Sequence, residues 1–407
     1  MKAMFFAFRN LVVTLSVLGL GFHSVGCRTV QARNPIAAAR PAPVGSPPAS
    51  EVPARLEAKS ADQLFAEATS AYESGRDEDA RSLFTQVLER APTMVNAQYN
   101  LGVIAERHGE MEQARAAYQA ALKIEPSHAP SALNLGRICL SNGELDQAIE
   151  LLEASIRQPT KEYELPLLNN LAAAYRMAHK YGKAEATSRA VLRKRTDDVD
   201  ALKNLALVYY EEGRHRLAQL VGVTAEKIAP NDPGIHNDLG LVYLKLDQRA
   251  RAREEFRRSL ALEPRFASAH RNLGALALAY RDYPTAQKSF AELVSLEPRS
   301  YEAHLGFGYA LQGQLVRDPS KARAAASEFE KALALKPDNT DAICGAGWSY
   351  SEDRENWNKA VAYLDKCGSS PATVASERRD AKARQEKLDQ LLREEEGEDV
   401  PAGGEMP

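Results

Sequence analysis

The chain has 407 residues, 44% of them hydrophobic and 26% charged, with a formal net charge of −3, which excludes a general nucleic-acid binder because such a protein carries a basic excess. One compact core would be unusual at this length, whereas an array of units that each pack only on their neighbours grows lengthwise without that limit. Aromatics are sparse at 7%, and Ala, Leu, Glu and Arg dominate, as in helix-rich repeats.

Taken in chain order, Lys2 and Arg9 form a positive start. An uncharged, mostly apolar run follows from Leu11 to Phe22, then the small residues Ser24 and Gly26, then Cys27. The run is short for a bilayer span and reads as a secretory leader. Ser24-Val25-Gly26-Cys27 resembles a lipobox, the stretch at which bacterial lipoproteins are cleaved and acylated on cysteine. Gly26 and Cys27 fit it, while Ser24 stands where leucine is usual. The resemblance implies a leader over residues 1–27 and a lipid on Cys27. With Arg28 next instead of aspartate, it also implies sorting to the outer membrane, facing the periplasm. An exported soluble protein and a cytosolic adaptor are the competing readings. Residues 28–60 hold Pro35, Pro41, Pro43, Pro47, Pro48 and Pro53 among Ala, Gly and Ser, the composition of a disordered tether.

From Ala61 the chain repeats itself. The 34-residue window Val95 to His128 has Leu101, Gly102, Ala105, Gly109, Ala114, Tyr118, Ala121 and Pro126 at its key positions. Leu135-Gly136, Leu171-Ala172, Leu205-Ala206, Leu239-Gly240 and Leu273-Gly274 return in one position, and Ala148, Ala184, Ala218, Ala252 and Ala286 in another. Tyr99, Leu101, Ile104 and Ala105 recur at helical spacing, so each first half is an amphipathic helix. Gly102 lets a second helix approach, with Ala114 as the small residue facing it, and Gly109 turns the chain. Tyr118, like Phe84, Phe256, Phe290 and Phe329, fills the gap toward the next unit, and Pro126 ends the second helix.

This pattern resembles the tetratricopeptide repeat. The resemblance covers residues 61–373, with units beginning near Ala61, Val95, Ala129, Leu165, Val199, Pro233, Ala267, Tyr301 and Thr340. The expected fold is all-α: a right-handed superhelical solenoid of about nine helix-turn-helix units. Pro159 is displaced in the third unit, Thr196 replaces proline in the fourth, and Leu315 to Ser320 lengthens the turn of the eighth. A capping helix is expected over residues 374–395 and a disordered acidic tail over 396–407.

No phosphate-binding glycine loop, HExxH, CxxC pair or nucleophile elbow is present, so the reading is of a protein that is not an enzyme and takes no cofactor, metal or small-molecule substrate. His236, His270 and His304 recur every 34 residues. Stacked repeats lie roughly 10 Å apart, too far for one ion to be shared through bonds of about 2 Å, so these read as packing residues. Cys139 reads as a small buried hydrophobe. Cys344 and Cys367 fall on the two helices of the ninth unit, where an antiparallel hairpin in an oxidising compartment could bring them into a disulfide; two inert buried thiols are the default reading, and the sequence leaves the choice open.

The family resemblance also implies that first helices line a concave groove, with ligand contacts at the second, fifth, ninth, twelfth and thirteenth positions of each unit. In repeats three to seven these positions hold Arg137, Arg176, Lys203, Lys245 and Arg271, the acids Asp200 and Glu211, and apolar or aromatic Leu133, Leu140, Leu207, Tyr210, Leu241, Leu244 and Leu278. Such a groove suits an extended or helical protein segment with acidic groups. The carboxylate clamp of chaperone-binding relatives is absent: Asn100, Asn134, Asn170 and Asn204 fill its asparagine position, but the later Lys–Arg pair is missing. Those asparagines are expected to stitch neighbouring helices. The chain resembles repeat lipoproteins of pilus assembly, gliding motility and envelope adaptors, which implies a scaffold that binds proteins and reaches the membrane through its lipid; a recognition subunit for a peptidoglycan- or protein-modifying enzyme is the alternative. Charge reversal at Arg137, Arg176 and Lys203 is expected to weaken partner capture at little cost in stability.

Overall fold

The computed structural model describes residues 59–157 and 163–396. The leader with Cys27, nearly all of the 28–60 segment, Pro159 and the 397–407 tail lie outside the described residues. Every regular element within them is helical, and the helices form two compact units, one ending at Pro230 and one beginning at Asn231.

The first unit contains five helical hairpins. They are α1 (Ala61–Glu73) with α2 (Asp77–Arg90), α3 (Val95–Arg107) with α4 (Met111–Ile124), α5 (Ala129–Ser141) with α6 (Leu145–Ile156), α7 (Glu164–Met177) with α8 (Tyr181–Lys194), and α9 (Val199–Glu211) with α10 (His215–Ile228). The second unit pairs α11 (Pro233–Lys245) with α12 (Arg249–Leu262), α13 (Ala267–Ala279) with α14 (Tyr283–Leu296), α15 (Tyr301–Gln312) with α16 (Ala322–Leu335), and α17 (Thr340–Tyr350) with α18 (Trp357–Ser369). A last helix, α19 (Ala375–Glu396), packs on α18. The lengthened turn of the eighth repeat contains a 3-10 turn, Pro319–Lys321.

Local chemistry sets the helix starts. Ser60, Asp198, Ser300 and Asn339 each accept a backbone N–H three residues on, which contributes about 1 kcal/mol per cap. Between the helices of a hairpin the chain turns through the left-handed region, at φ 74° for Gly109. His179, Asp247 and Arg281 take up that conformation without glycine's freedom, at a cost on the order of 1 kcal/mol each.

Within a hairpin, closeness is set by glycine against an aromatic ring. A Cβ on Gly102 would lie 2.5 Å from Tyr118 Cε1, so Tyr118 faces that glycine, where the sequence pattern had put Ala114. Phe256 does the same against Gly240, and in the third repeat Leu152 fills the place opposite Gly136. Phe290 touches Gly274 in its own hairpin and also Gly306 in the next. All these side chains are buried.

Polar staples join successive repeats on the surface. Arg81 on α2 reaches Glu110 in the following turn at 2.6 Å, and Arg115 on α4 reaches Glu144 at 2.6 Å. On α8 the signs are exchanged, Glu185 accepting from Arg214 at 3.1 Å. These half-exposed pairs set register more than stability. At the C-terminal end α19 buries Ala381 and Leu388 against Ala360 and Leu364, and Arg384 donates to Ser351 O at 3.0 Å and Glu352 at 2.9 Å.

Gly240→Ala should lower stability by about 1–3 kcal/mol, because the buried Phe256 ring has no room to move aside. Gly182→Ala, with nothing within 4 Å of its added Cβ, should instead gain up to about 1 kcal/mol. Urea unfolding midpoints of the two variants check this.

Candidate functional site

The groove residues read from the sequence are divided between the units: Arg137, Arg176, Lys203 and Tyr210 lie in the first, Lys245 and Arg271 in the second. On the first-helix face of the first unit, Arg137 on α5 pairs with Glu106 on α3. Glu106 also accepts from the Tyr118 hydroxyl at 3.0 Å, and Asn134 Nδ2 donates to that hydroxyl at 3.0 Å, so four groups from two repeats form one chain. Burial, reinforced by Glu106, holds the Tyr118 phenol protonated far above its ordinary value. Two repeats on, Arg176 on α7 pairs with Glu211 on α9, with side chains only 5% and 9% exposed. In the second unit Arg271 pairs with Glu297, and Lys245 is exposed.

These contacts correct the picture of an open cationic groove. Arg176 and Tyr210 are buried, as are Leu140, Leu207, Leu241 and Leu278, because adjoining first helices pack closely enough to cover them. In the first unit, half-buried Leu133, Lys203 and Met177 stay within reach on this face. The carboxylate missed was Glu106, and Glu211, read as a groove acid open to ligand, is instead the buried partner of Arg176. The available signal was opposite charge about one repeat apart, 31 residues for Glu106 and Arg137 and 35 for Arg176 and Glu211. Arg176 therefore has a structural duty, and reversing its charge would leave Glu211 buried beside a second carboxylate.

Asparagines stitch helices at some positions only. Asn134 does so through Tyr118, and Asn204 Nδ2 donates to Asn169 O at 3.0 Å. Asn272 Nδ2 donates to Asn237 Oδ1 at 2.8 Å, a link outside the expected set. Asn100 is buried with neither amide atom bonded. The three periodic histidines are buried and find separate partners. His236 Nδ1 donates to Glu255 at 2.7 Å and His304 Nδ1 to Glu328 at 2.7 Å, while His270 Nε2 donates to Pro264 O at 2.8 Å. Glu recurs opposite the first and third of these histidines; Ser289 stands at that position in the seventh repeat.

Cys344 on α17 and Cys367 on α18 form a disulfide, with Cα atoms 5.1 Å apart, while Cys139 is a buried thiol. A carboxylate oxygen of Glu377, in the first turn of α19, lies within 4.8 Å of both sulfurs, but sulfurs bonded to each other offer a metal no thiolate. Burial, together with Asp341 and Asp380, pushes the Glu377 carboxyl up to about 7, and burial also raises Asp341.

Models of the tetratricopeptide repeat match residues 65–129 and 237–281 in one version and 107–165 in another. No curated protein sequence matches the chain. Among solved structures, Cut9–Hcn1, a hetero-tetramer of APC/C, is 17% identical with a TM-score of 0.49, over 71% of this chain and 55% of that one. This chain thus spans little more than half of that relative's length. Pseudomonas aeruginosa pilF is 20% identical with a TM-score of 0.44, over 53% of this chain and 94% of its own. YrrB, described as a TPR protein with an unusual peptide-binding site, is 18% identical with a TM-score of 0.35, over 46% of this chain and 95% of its own. At these identities the likeness is one of fold alone.

Two outcomes are expected. Arg176→Met should cost about 3–5 kcal/mol by stranding Glu211, and Arg176→Met with Glu211→Leu should recover most of it, read by urea unfolding. Because the Glu377 pKa is raised, its stabilising effect is full below its ordinary 4.5 and fades as pH rises through about 7. The protection factor of α19 amides, their exchange rate referred to that of an unstructured chain at the same pH, should therefore be higher at pH 5 than at pH 8, and Glu377→Gln should flatten that difference.

Proposed function

Because this chain is a tetratricopeptide repeat protein, we propose that it serves as a scaffold tethered to the outer membrane through Cys27, holding partner proteins on its periplasmic side. A fold of stacked helical hairpins is that of a protein–protein interaction module, and the chemistry here is recognition, with no reaction assigned to any residue. The observation that carries the reading is the pair of cross-repeat ion pairs, Glu106–Arg137 and Arg176–Glu211. They fix the first-helix face before any ligand arrives, which lowers the ordering cost of binding. Half-buried Leu133 and Met177 supply apolar contact beside them. Since both arginines are internally neutralised, the partner is an extended or helical segment read by apolar contact and hydrogen bonds, with Lys203 of the same unit favouring acidic groups.

The leader and lipobox-like residues support the membrane tether. By resemblance to repeat lipoproteins, the assembly served is an envelope complex of the motility or pilus type. Labelled palmitate should enter the wild-type chain and not Cys27→Ala; a wild-type chain without label removes the tether. Photo-crosslinking in intact envelopes from a probe at Met177 should yield discrete partner adducts. Leu133→Ser with Lys203→Glu should reduce them about tenfold, a loss of about 1.4 kcal/mol, with little change in melting temperature. An undiminished adduct yield would reject this face as the binding site.

A further inference from the structure

The second helix of the sixth hairpin, α12, exposes Arg249, Arg251, Arg253, Arg257 and Arg258. Its own carboxylates are already engaged. Buried Glu255 accepts from His236 at 2.7 Å and from Arg258 at 3.3 Å, and Glu254 meets Arg258 at 3.5 Å. Arg249 leans on exposed Asp247 at 2.6 Å, and Arg251 on Gln248 at 3.0 Å. Arg253 and Arg257 have no ion-pair or hydrogen-bond partner among the described residues.

Arg253 stands at the repeat position of Arg81 and Arg115, both of which are bound to a glutamate in the following turn. The following turn here offers Asp282, but its carboxylate caps α14 through Thr285 N at 3.3 Å, and Arg253 does not reach it. Arg249, Arg253 and Arg257 also follow one another on successive turns of one helix face, about 6 Å apart along the axis. Like charges at that spacing oppose helix formation, so the stability of α12 does not explain them. Beside Arg249, with the ring centroid 5.1 Å from its guanidinium, Tyr280 of the next repeat is 50% exposed.

We infer that this outer face of α12 is a docking surface for an acidic protein helix whose carboxylates recur every four residues, with Tyr280 as its aromatic anchor. Charge complementarity names the partner's chemistry, and arginine with tyrosine is the pairing that concentrates binding energy in protein interfaces. The patch is narrow: α14 beside it exposes Glu292 as well as Lys288, and the whole chain is net acidic, whereas a nucleic-acid or membrane surface needs a broad basic field. The surface lies on a second helix and is separate from the first-helix face of the preceding proposal.

The test uses the full chain and three probes: a fluorescent helical peptide with Glu at every fourth position, a duplex DNA, and vesicles containing phosphatidylglycerol. The peptide should bind in a salt-sensitive manner, and Arg253→Glu with Arg257→Glu should weaken it at least tenfold at unchanged melting temperature. Arg253→Gln with Arg257→Gln should give an intermediate loss. Leu133→Ser with Lys203→Glu should leave this binding unchanged, which separates the two faces. The inference fails if the peptide binds the arginine variants as well as the wild type. It also fails if only the first-helix variant loses the peptide, or if DNA or vesicles bind more tightly than the peptide through these arginines.

Discussion

Phe290 lies between two glycines, Gly274 in the first helix of its own hairpin and Gly306 in the first helix of the next, and Phe329 sits likewise between Gly308 and Gly345. One ring therefore closes a hairpin and joins it to its neighbour at once. The arrangement needs two residues without a Cβ and one large flat side chain, all three on different helices. Dispersion contacts over both ring faces then replace the apolar surface that neither helix could hide alone. Each hairpin's cohesion and its attachment share the same atoms, so a repeat has little independent existence. What is left to bind other molecules is whatever the rings do not use: the remaining first-helix positions and the outward sides of second helices.

Much of this was legible because the repeat period carries it. Helices begin at Ala61, Val95, Ala129, Val199, Pro233, Ala267, Tyr301 and Thr340, where the pattern restarts, and only Glu164 departs, by one residue. Glycine, aromatic and turn positions recur in phase, and each has a single physical reason to be there. The partner opposite Gly102 was harder, since Ala114 and Tyr118 both face the first helix and only the packing distance chooses between them. Arg176 was misread for a different reason. Position within the unit says which face a residue is on, not whether the next unit brings an opposite charge to it, and Glu211 does. Asn100 shows the same limit, because its neighbours supply no partner where those of Asn134 and Asn204 do.

Charge in this molecule thus falls into two populations. Arg81, Arg115, Arg137 and Arg176 each meet a glutamate from another repeat, and they hold the stack in register. Arg253 and Arg257 have no such contact among the described residues, although they come from the same repeating pattern. A residue type that serves cohesion in one hairpin is thereby freed for recognition in another, by the loss of one acidic neighbour and with no change in backbone.

The bond between Cys344 and Cys367 has a mechanical consequence. A linear array unravels from its extremities, where a hairpin has a neighbour on one side only. Here the final hairpin is covalently closed across a sequence separation of 23, so peeling α18 away from α17 cannot open the chain there. Within the second unit, fraying under heat or load is thereby held off from this hairpin and pushed back toward those that lack such a bond.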